Sequence, residues 1–248
     1  MAIEPPVARI TLQHPPLNVI DIPMMEEMAM AVAEVEEMPA VSITVFAGSG
    51  NGFSAGVDVA AHRPETVQEM ITKFHAILRV VVSSRKVTLA AVQGNCLGGG
   101  AELAMICDLV VTAETATWGF PEISLGCFPP VAATALAALV GQKRAAELIL
   151  TGRTFDGAEA QRLGLANYTT REAQLETRVG VVLQHLAKLS PAALAVTKKA
   201  MYAWDSMHFD KGLSRAEKVY LEELMWTEDA REGVAAFLEK RDPKWTGK

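Results

Sequence analysis

A strand-forming run at residues 87–92 leads within six residues into three consecutive glycines, Gly98, Gly99 and Gly100, and then into a helical stretch at 101–106. That junction constrains the chain more than any other stretch. Glycines between a strand and a helix let the backbone turn tightly and let a ligand approach bare N–H groups. The first N–H groups of the helix have no internal partner and lie at the positive end of its dipole. Such a place holds an anion, or a negative charge that develops only during a reaction. Glu102 falls in the first turn of this helix, and Glu122 follows Pro121 after the apolar run Leu109-Val110-Val111. The stretch offers an anion cradle and two carboxylates, a set suited to general acid/base work at a carbonyl compound.

Familiar nucleotide and hydrolase motifs do not account for it. The dinucleotide spacing fails because Leu103 stands where a third glycine is needed, and no Lys-Ser/Thr follows to make a phosphate loop. Ser54 lies between Phe53 and Ala55, so the Gly-x-Ser-x-Gly elbow is absent and the serine reads as structural. Cys96, Cys107 and Cys127 are odd in number and fit no zinc spacing with histidine. They read as small core residues in a reducing compartment, and no metal is expected. Taken alone, Glu102 also reads as a solvated first-turn glutamate and Glu122 as an ordinary loop carboxylate.

Two segments together resemble the enoyl-CoA hydratase/isomerase (crotonase) superfamily. One is Gly-Asn-Cys-Leu-Gly-Gly-Gly-Ala-Glu-Leu-Ala-Met-Ile-Cys-Asp (94–108) with Phe-Pro-Glu-Ile-Ser-Leu-Gly (120–126); the other is Gly-Phe-Ser-Ala-Gly-Val-Asp (52–58). The similarity continues through 141–152, 158–166 and the tail Ala-Phe-Leu-Glu-Lys-Arg-Asp-Pro at 236–243, and so covers nearly the whole chain. The resemblance implies an α/β fold, a spiral of ββα turns, with a C-terminal helical module for oligomerisation as a trimer or dimer of trimers. It implies a coenzyme A thioester as substrate and no separate cofactor. The oxyanion hole it implies is made by the backbone N–H groups matching Val57 and Gly99, with Glu102 and Glu122 as acid and base. Ala55, Gly56, Asp58, Gly98, Gly100, Phe128, Pro129 and Pro130 are the expected pocket residues. Lys240 and Lys244 are candidates for the CoA phosphates and read equally as solvated tail charges.

The chain departs from ordinary hydratases after Leu125-Gly126, where a glycine-rich run is replaced by Phe128-Pro129-Pro130-Val131-Ala132-Ala133. Pro130 offers neither an N–H nor a permissive backbone near the water site, and it should narrow the space beside the second glutamate. This stretch, with Gly-Val-Asp-Val-Ala-Ala-His from 56, resembles the cyclohexa-1,5-diene-1-carbonyl-CoA hydratases. An isomerase, a thioester hydrolase, a C–C lyase and a non-catalytic RNA-binding relative are the alternatives within the superfamily. Isomerases usually need only the second glutamate, so Glu102 weighs against that reading. A net charge of −6 without a long basic run argues against nucleic acid. No uninterrupted apolar stretch of about 20 residues marks a membrane span, and the N-terminus lacks a signal-peptide pattern, so a cytoplasmic location is expected.

Along the chain, residues 7–12 read as a first strand stopped by His14-Pro15-Pro16, and Asp21 as the cap of a helix over 22–37. A buried strand is expected at 41–46 and an amphipathic helix at 64–83 bordering the acyl pocket. His62 before it reads as a solvent-facing loop histidine. Helices at 131–140 and 142–150, a short one after Phe155-Asp156-Gly157 and a last strand at 165–168 follow. Beyond Arg171 only helical patterns remain, at 173–189, 191–204, 210–225 and 228–240, with Gly212 near one start. This change of period sets the one candidate boundary, between a core at 1–188 and a helical module at 189–248.

Overall fold

The computed structural model describes the backbone of all 248 residues and every side chain except those of residues 203–207. Strands β1 (Ala2–Glu4), β2 (Val7–Leu12), β3 (Ile43–Gly48), β4 (Val87–Val92), β6 (Leu109–Ala113) and β9 (Tyr168–Thr170) form one sheet in that spatial order. All its pairings are parallel except β1 with β2. Strands β5 (Asn95–Leu97), β7 (Thr117–Gly119) and β8 (Thr154–Asp156) form a second, smaller sheet. The chain alternates between them: β4 then β5, followed by helix α3 (Gly99–Met105), then β6 and β7. Parallel bridges Ile20↔Val57 and Ser54↔Cys96 continue the second layer backwards, so the core is a stack of ββα turns.

The large sheet is buried on both faces, which is why its strands read as continuous apolar runs. Ile10, Phe46, Ala90 and Val92 face a cluster with helices α1 (Ile22–Glu36) and α2 (Val67–Ser83). Ile43, Val45, Ala47, Leu89 and Val111 face the other way, onto Leu175, Val179 and Val182 of α7 (Leu175–Leu186). Asp21 caps α1 as expected, its carboxylate accepting the Met24 N–H at 2.9 Å. Between β7 and β9 lie α4 (Pro130–Val140), α5 (Gln142–Thr151) and α6 (Gly157–Leu163). Asp156 caps α6 through the Glu159 N–H at 2.6 Å.

Several boundaries move. The strand expected at 41–46 forms two residues later, because β3 takes its register from β2 and β4: Ile43 pairs with both Val7 and Val87. The last strand also shifts, from 165–168 to 168–170, as Asn167 turns to bond Val110 from outside the ladder. The three-residue strands of the second sheet are too short to show alternation. The patterns at 191–204 and 210–225 join into one helix, α8 (Pro191–Glu222). Gly212 is interior to α8 and marks a helix crossing: a Cβ there would stand 2.7 Å from Thr134 Cγ2 of α4.

α8 is pinned to the sheet by a buried ion pair, Lys198 Nζ to Asp108 at 2.7 Å, with the Lys86 carbonyl at 2.8 Å. The last helix, α9 (Glu228–Leu238), packs on the short 3-10 turns at Val59–His62 and Pro121–Leu125. Phe209, Leu213, Tyr220 and Val234 belong to the same core cluster as the strands, so residues on both sides of the 188/189 boundary share one core. Among the described residues no single helix is long and apolar enough to cross a membrane.

One buried side chain holds the loops that lead to the site. Asn18, fully buried, donates its amide to the carbonyls of Ser49 and Gly52, both at 2.9 Å, and accepts the His14 N–H at 3.0 Å. Its own carbonyl accepts the Ser54 hydroxyl at 2.7 Å. An Asn18→Ala chain leaves buried carbonyls without donors, each worth about 1–3 kcal/mol. Urea denaturation should show stability lower by at least ~2 kcal/mol, with turnover reduced through displacement of 52–57.

Candidate active site

Two glycine loops are pressed together with no space for a side chain between them. At Gly56, φ is +104°, and a Cβ would lie 3.0 Å from the Leu97 carbonyl and 3.5 Å from the Gly99 nitrogen. A Cβ on Gly99 would meet Val57 Cγ2 at 2.7 Å and the Phe74 ring at 3.1 Å. The neighbours of both candidate donors are tied down: Ile20 N–H to the Gly56 carbonyl at 2.9 Å, Asp58 N–H to Ile20 at 3.0 Å and Gly98 N–H to Gly119 at 3.0 Å. The N–H groups of Val57 and Gly99 take no part in those bonds, and Gly99 opens α3.

Glu102 is 3% exposed on α3. Its Oε1 accepts the N–H groups of Val131 and Ala132, at 2.9 and 3.0 Å. These are the second and third residues of α4, whose first is Pro130. A proline suits that first position, because its missing N–H would have no helical partner anyway. Pro130 lines the cavity that holds both glutamates, and as the first residue of α4 it also precedes the two amides that bind Glu102. Burial pushes the Glu102 carboxyl up; His75 and the amides of Ala132 and Val131 oppose it.

Glu122 sits in the 3-10 turn and has no such support. Its Oε1 lies against Gly98, where a Cβ would come within 2.8 Å, and its buried Oε2 has no hydrogen-bond partner among the described residues. Burial, and secondarily the charge of Glu102, push its pKa up to about 8. Burial raises both carboxyls of the cavity, but only Glu102 is bonded by amides of another helix.

The cavity has a volume of about 300 Å³ and also takes in Met70, Ile71, Phe74 and His75 of α2, Phe128, Tyr220 of α8 and Phe237 of α9. Tyr220 packs edge-on to Phe128, ring centres 5.2 Å apart, and its buried hydroxyl, near the Cys127 thiol, has no partner of hydrogen-bond geometry among the described residues. Tyr220 and Phe237 carry no local sequence signal, since only the folding back of α8 and α9 brings them here. His62 also lines the cavity and is half-buried, contrary to the solvent-facing reading; burial chiefly lowers its pKa.

Of the sequence candidates, Ala55, Gly56, Val57, Gly98, Gly99, Glu102, Glu122, Phe128 and Pro130 meet in this cavity. Asp58 does not line it: its carboxylate caps the 3-10 turn through the Ala60 N–H at 3.0 Å. Gly100 lies behind, packed on Ser54, and Pro129 precedes α4 without lining the space. Lys240 and Lys244 are exposed beyond α9 and do not line it either; the Lys244 N–H is bound by Glu232 at 2.7 Å.

The family model for enoyl-CoA hydratase/isomerase matches residues 2–248. The chain belongs to this family. It is 35% identical over 237 residues to a cyclohexa-1,5-dienecarbonyl-CoA hydratase of Thauera aromatica, covering 96% of this chain and 92% of that protein. It is also 35% identical to a probable enoyl-CoA hydratase of Mycobacterium tuberculosis, covering 97% and 94%. The crystal structure of an enoyl-CoA hydratase from Mycobacterium avium subsp. paratuberculosis superposes with a TM-score of 0.89 at 28% identity, covering 99% and 97% of the two chains. The family's crotonase fold is therefore the fold of this chain, as the motifs implied.

A carboxyl raised from 4.5 to about 8 by folding has a stability signature. The folded state keeps a proton that the unfolded state has lost, so stability falls as pH rises through that window. Glu122→Gln removes the penalty. Thermal melts should show little difference between the variant and the parent near pH 4, and a growing advantage for the variant up to pH 8–9.

Proposed function

We propose that this enoyl-CoA hydratase-like enzyme adds water to an α,β-unsaturated coenzyme A thioester whose acyl group is a cyclic diene. The observation that carries the reading is the inequality of the two buried glutamates in one cavity. In the reaction, water oxygen bonds to the β carbon, electrons move onto the thioester oxygen, and the enolate then collapses as a proton reaches the α carbon. The Val57 and Gly99 amides are assigned to that oxygen, with the α3 N-terminus behind Gly99; removing one such donor typically costs ~2.7–4 kcal/mol. Glu102, with two amides on one oxygen, takes the water proton, and Glu122 delivers a proton to carbon. The pair exchanges protons as a unit, so its two titrations belong to the pair.

The ring preference rests on Phe128-Pro129-Pro130, on the small aromatic-walled cavity, and on likeness to a relative named for a cyclic dienoyl thioester. Trp226 at 72% exposure, Met201 at 64% and Val196 at 63% leave apolar groups uncovered on the C-terminal helices. We take them as support for a trimer or dimer of trimers. Light scattering should give a trimer or hexamer mass, and a clean monomer at working concentration removes that assignment.

A panel of linear and cyclic enoyl-CoA esters, followed by loss of the conjugated thioester absorbance, tests the activity. Turnover should favour the cyclic diene, and Pro130→Gly should shift preference toward linear esters. Glu102→Gln and Glu122→Gln should each lower kcat by about 10²–10⁴-fold, with the double variant little worse than the poorer single one. Full activity in Glu102→Gln would point instead to isomerase chemistry run by Glu122 alone.

A further inference from the structure

Next to the cavity of the two glutamates lies a second, larger one, of about 770 Å³, lined mainly by apolar residues. Three helices run from one into the other. Glu102 of α3 lines the first cavity, and Met105 and Ile106, one turn on, line the second. Pro130 opens α4 in the first, and Ala133 and Thr134 continue it in the second. On α8, Tyr220 lines the first, while Ala216 and Gly212, at successive steps of one turn, line the second. Residues three or four apart share a helix face, so the two spaces follow one another along the same three faces. Among the described residues Phe128 alone lines both.

We propose that Phe128 is a specificity-determining partition: its ring closes the acyl cavity against the second one and limits the acyl group to a ring or a short chain. The proposal rests on the thioester reading of the site and adds to it the limit on acyl length. With the ring removed, the two spaces join, and the tail of a long linear acyl group lies along α8 past Ala216. That tail suits the space because the second cavity continues the first and its wall is mainly apolar. Each methylene taken out of water there tightens binding about fourfold.

Both the chain and a neighbouring ring hold Phe128 in place. On one side the Cys127 N–H donates back to the Glu122 carbonyl at 3.0 Å; on the other the Pro129 carbonyl accepts the Ala133 N–H at 2.8 Å. A residue before proline is steered away from helical backbone, so Phe128 stays in the link between the 3-10 turn and α4. Its ring meets Tyr220 at 66° between planes, with centres 5.2 Å apart, and Tyr220 is itself 1% exposed. Aromatic pairs in this edge-on arrangement attract beyond what their buried area contributes. The partition is thus braced from α8, the helix that also lines the space behind it. Truncating the ring opens a passage, because a packed interior closes only partly over a deletion.

The experiment titrates the full-length protein by calorimetry with saturated coenzyme A thioesters, butanoyl, hexanoyl and dodecanoyl, so that acyl length is read without turnover. In the parent, affinity should rise from butanoyl to hexanoyl and fall for dodecanoyl. Phe128→Ala should bind dodecanoyl-CoA at least about tenfold more tightly than the parent does. Adding Ala216→Leu to that variant should remove the gain while butanoyl-CoA binds as in Phe128→Ala. Ala216→Leu alone should leave the parent's series, and its mass in light scattering, as they were. A parent that binds dodecanoyl-CoA as tightly as Phe128→Ala overturns the proposal, and so does a gain that Ala216→Leu leaves intact. A change of mass on Ala216→Leu also overturns it, since another copy of the chain would then cover the second cavity. A ring that serves packing alone would lower every affinity alike and keep the order of the three thioesters, which again overturns it. A length limit released in an enzyme that hydrates no enoyl ester upholds the partition and sinks the hydratase reading; hydration of the cyclic diene without a length limit does the reverse. No affinity for any thioester overturns both. Should Phe128→Ala fail to fold by circular dichroism, Phe128→Leu is compared with the parent in the same way.

Discussion

Everything in the site depends on two backbone segments approaching closer than any side chain would permit. A Cβ on Gly56 would press on the Leu97 carbonyl at 3.0 Å, one on Gly98 on Glu122 Oε1 at 2.8 Å and one on Gly99 on Val57 Cγ2 at 2.7 Å. This packing brings Val57 and Gly99, from separate turns of the spiral, to the wall of one cavity. The contact is maintained from outside: Ile20 bridges to Val57, Ser54 bridges to Cys96, and Asn18 gathers the carbonyls of the preceding loop. The second, small sheet is short in residues, but it sets this approach, because its ladder runs through both loops.

The next level is electrostatic. A buried carboxylate is expensive unless donors compensate it, and Glu102 finds them at the start of another helix. Pro130 makes that start available by fixing the first residue of α4 without an N–H of its own, so the next two amides point at the carboxylate. Glu122 lines the same cavity with an oxygen that has no hydrogen-bond partner among the described residues. The inequality is a product of the scaffold, since the two side chains are chemically identical. The raised Glu122 carboxyl makes the site costly to the fold at alkaline pH.

The C-terminal helices do more than extend the molecule. α8 is anchored by the buried Lys198–Asp108 pair and crosses α4 at Gly212, and its later turns close the cavity with Tyr220 and hold His75 through Glu217. A helix can do both because its residues recur every 3.6 positions, which puts Glu217 and Tyr220 on one side.

The sequence by itself determined the local chemistry. The strand–glycine–helix junction, the cap at Asp21 and the buried strands follow from residue type and spacing, and the order of the motifs named the family and singled out the two glutamates. These are short-range properties: conformational freedom, an unpaired amide, an apolar run. The tertiary structure alone decided which residues meet. Asp58 looked like a pocket residue and became a cap, because its own N-terminal turn lay nearer than the cavity. His62 looked solvated and is half-buried, because α9 folds back from some 170 positions later in the chain. Strand register moved by two residues where neighbouring strands outvoted local pattern, and two helical patterns fused into α8 because nothing between them broke the backbone hydrogen bonds. Tyr220, Phe237 and the Glu217–His75 pair were invisible for the same reason: a cavity wall has no period, and contacts across more than a hundred residues leave no mark in either segment read alone.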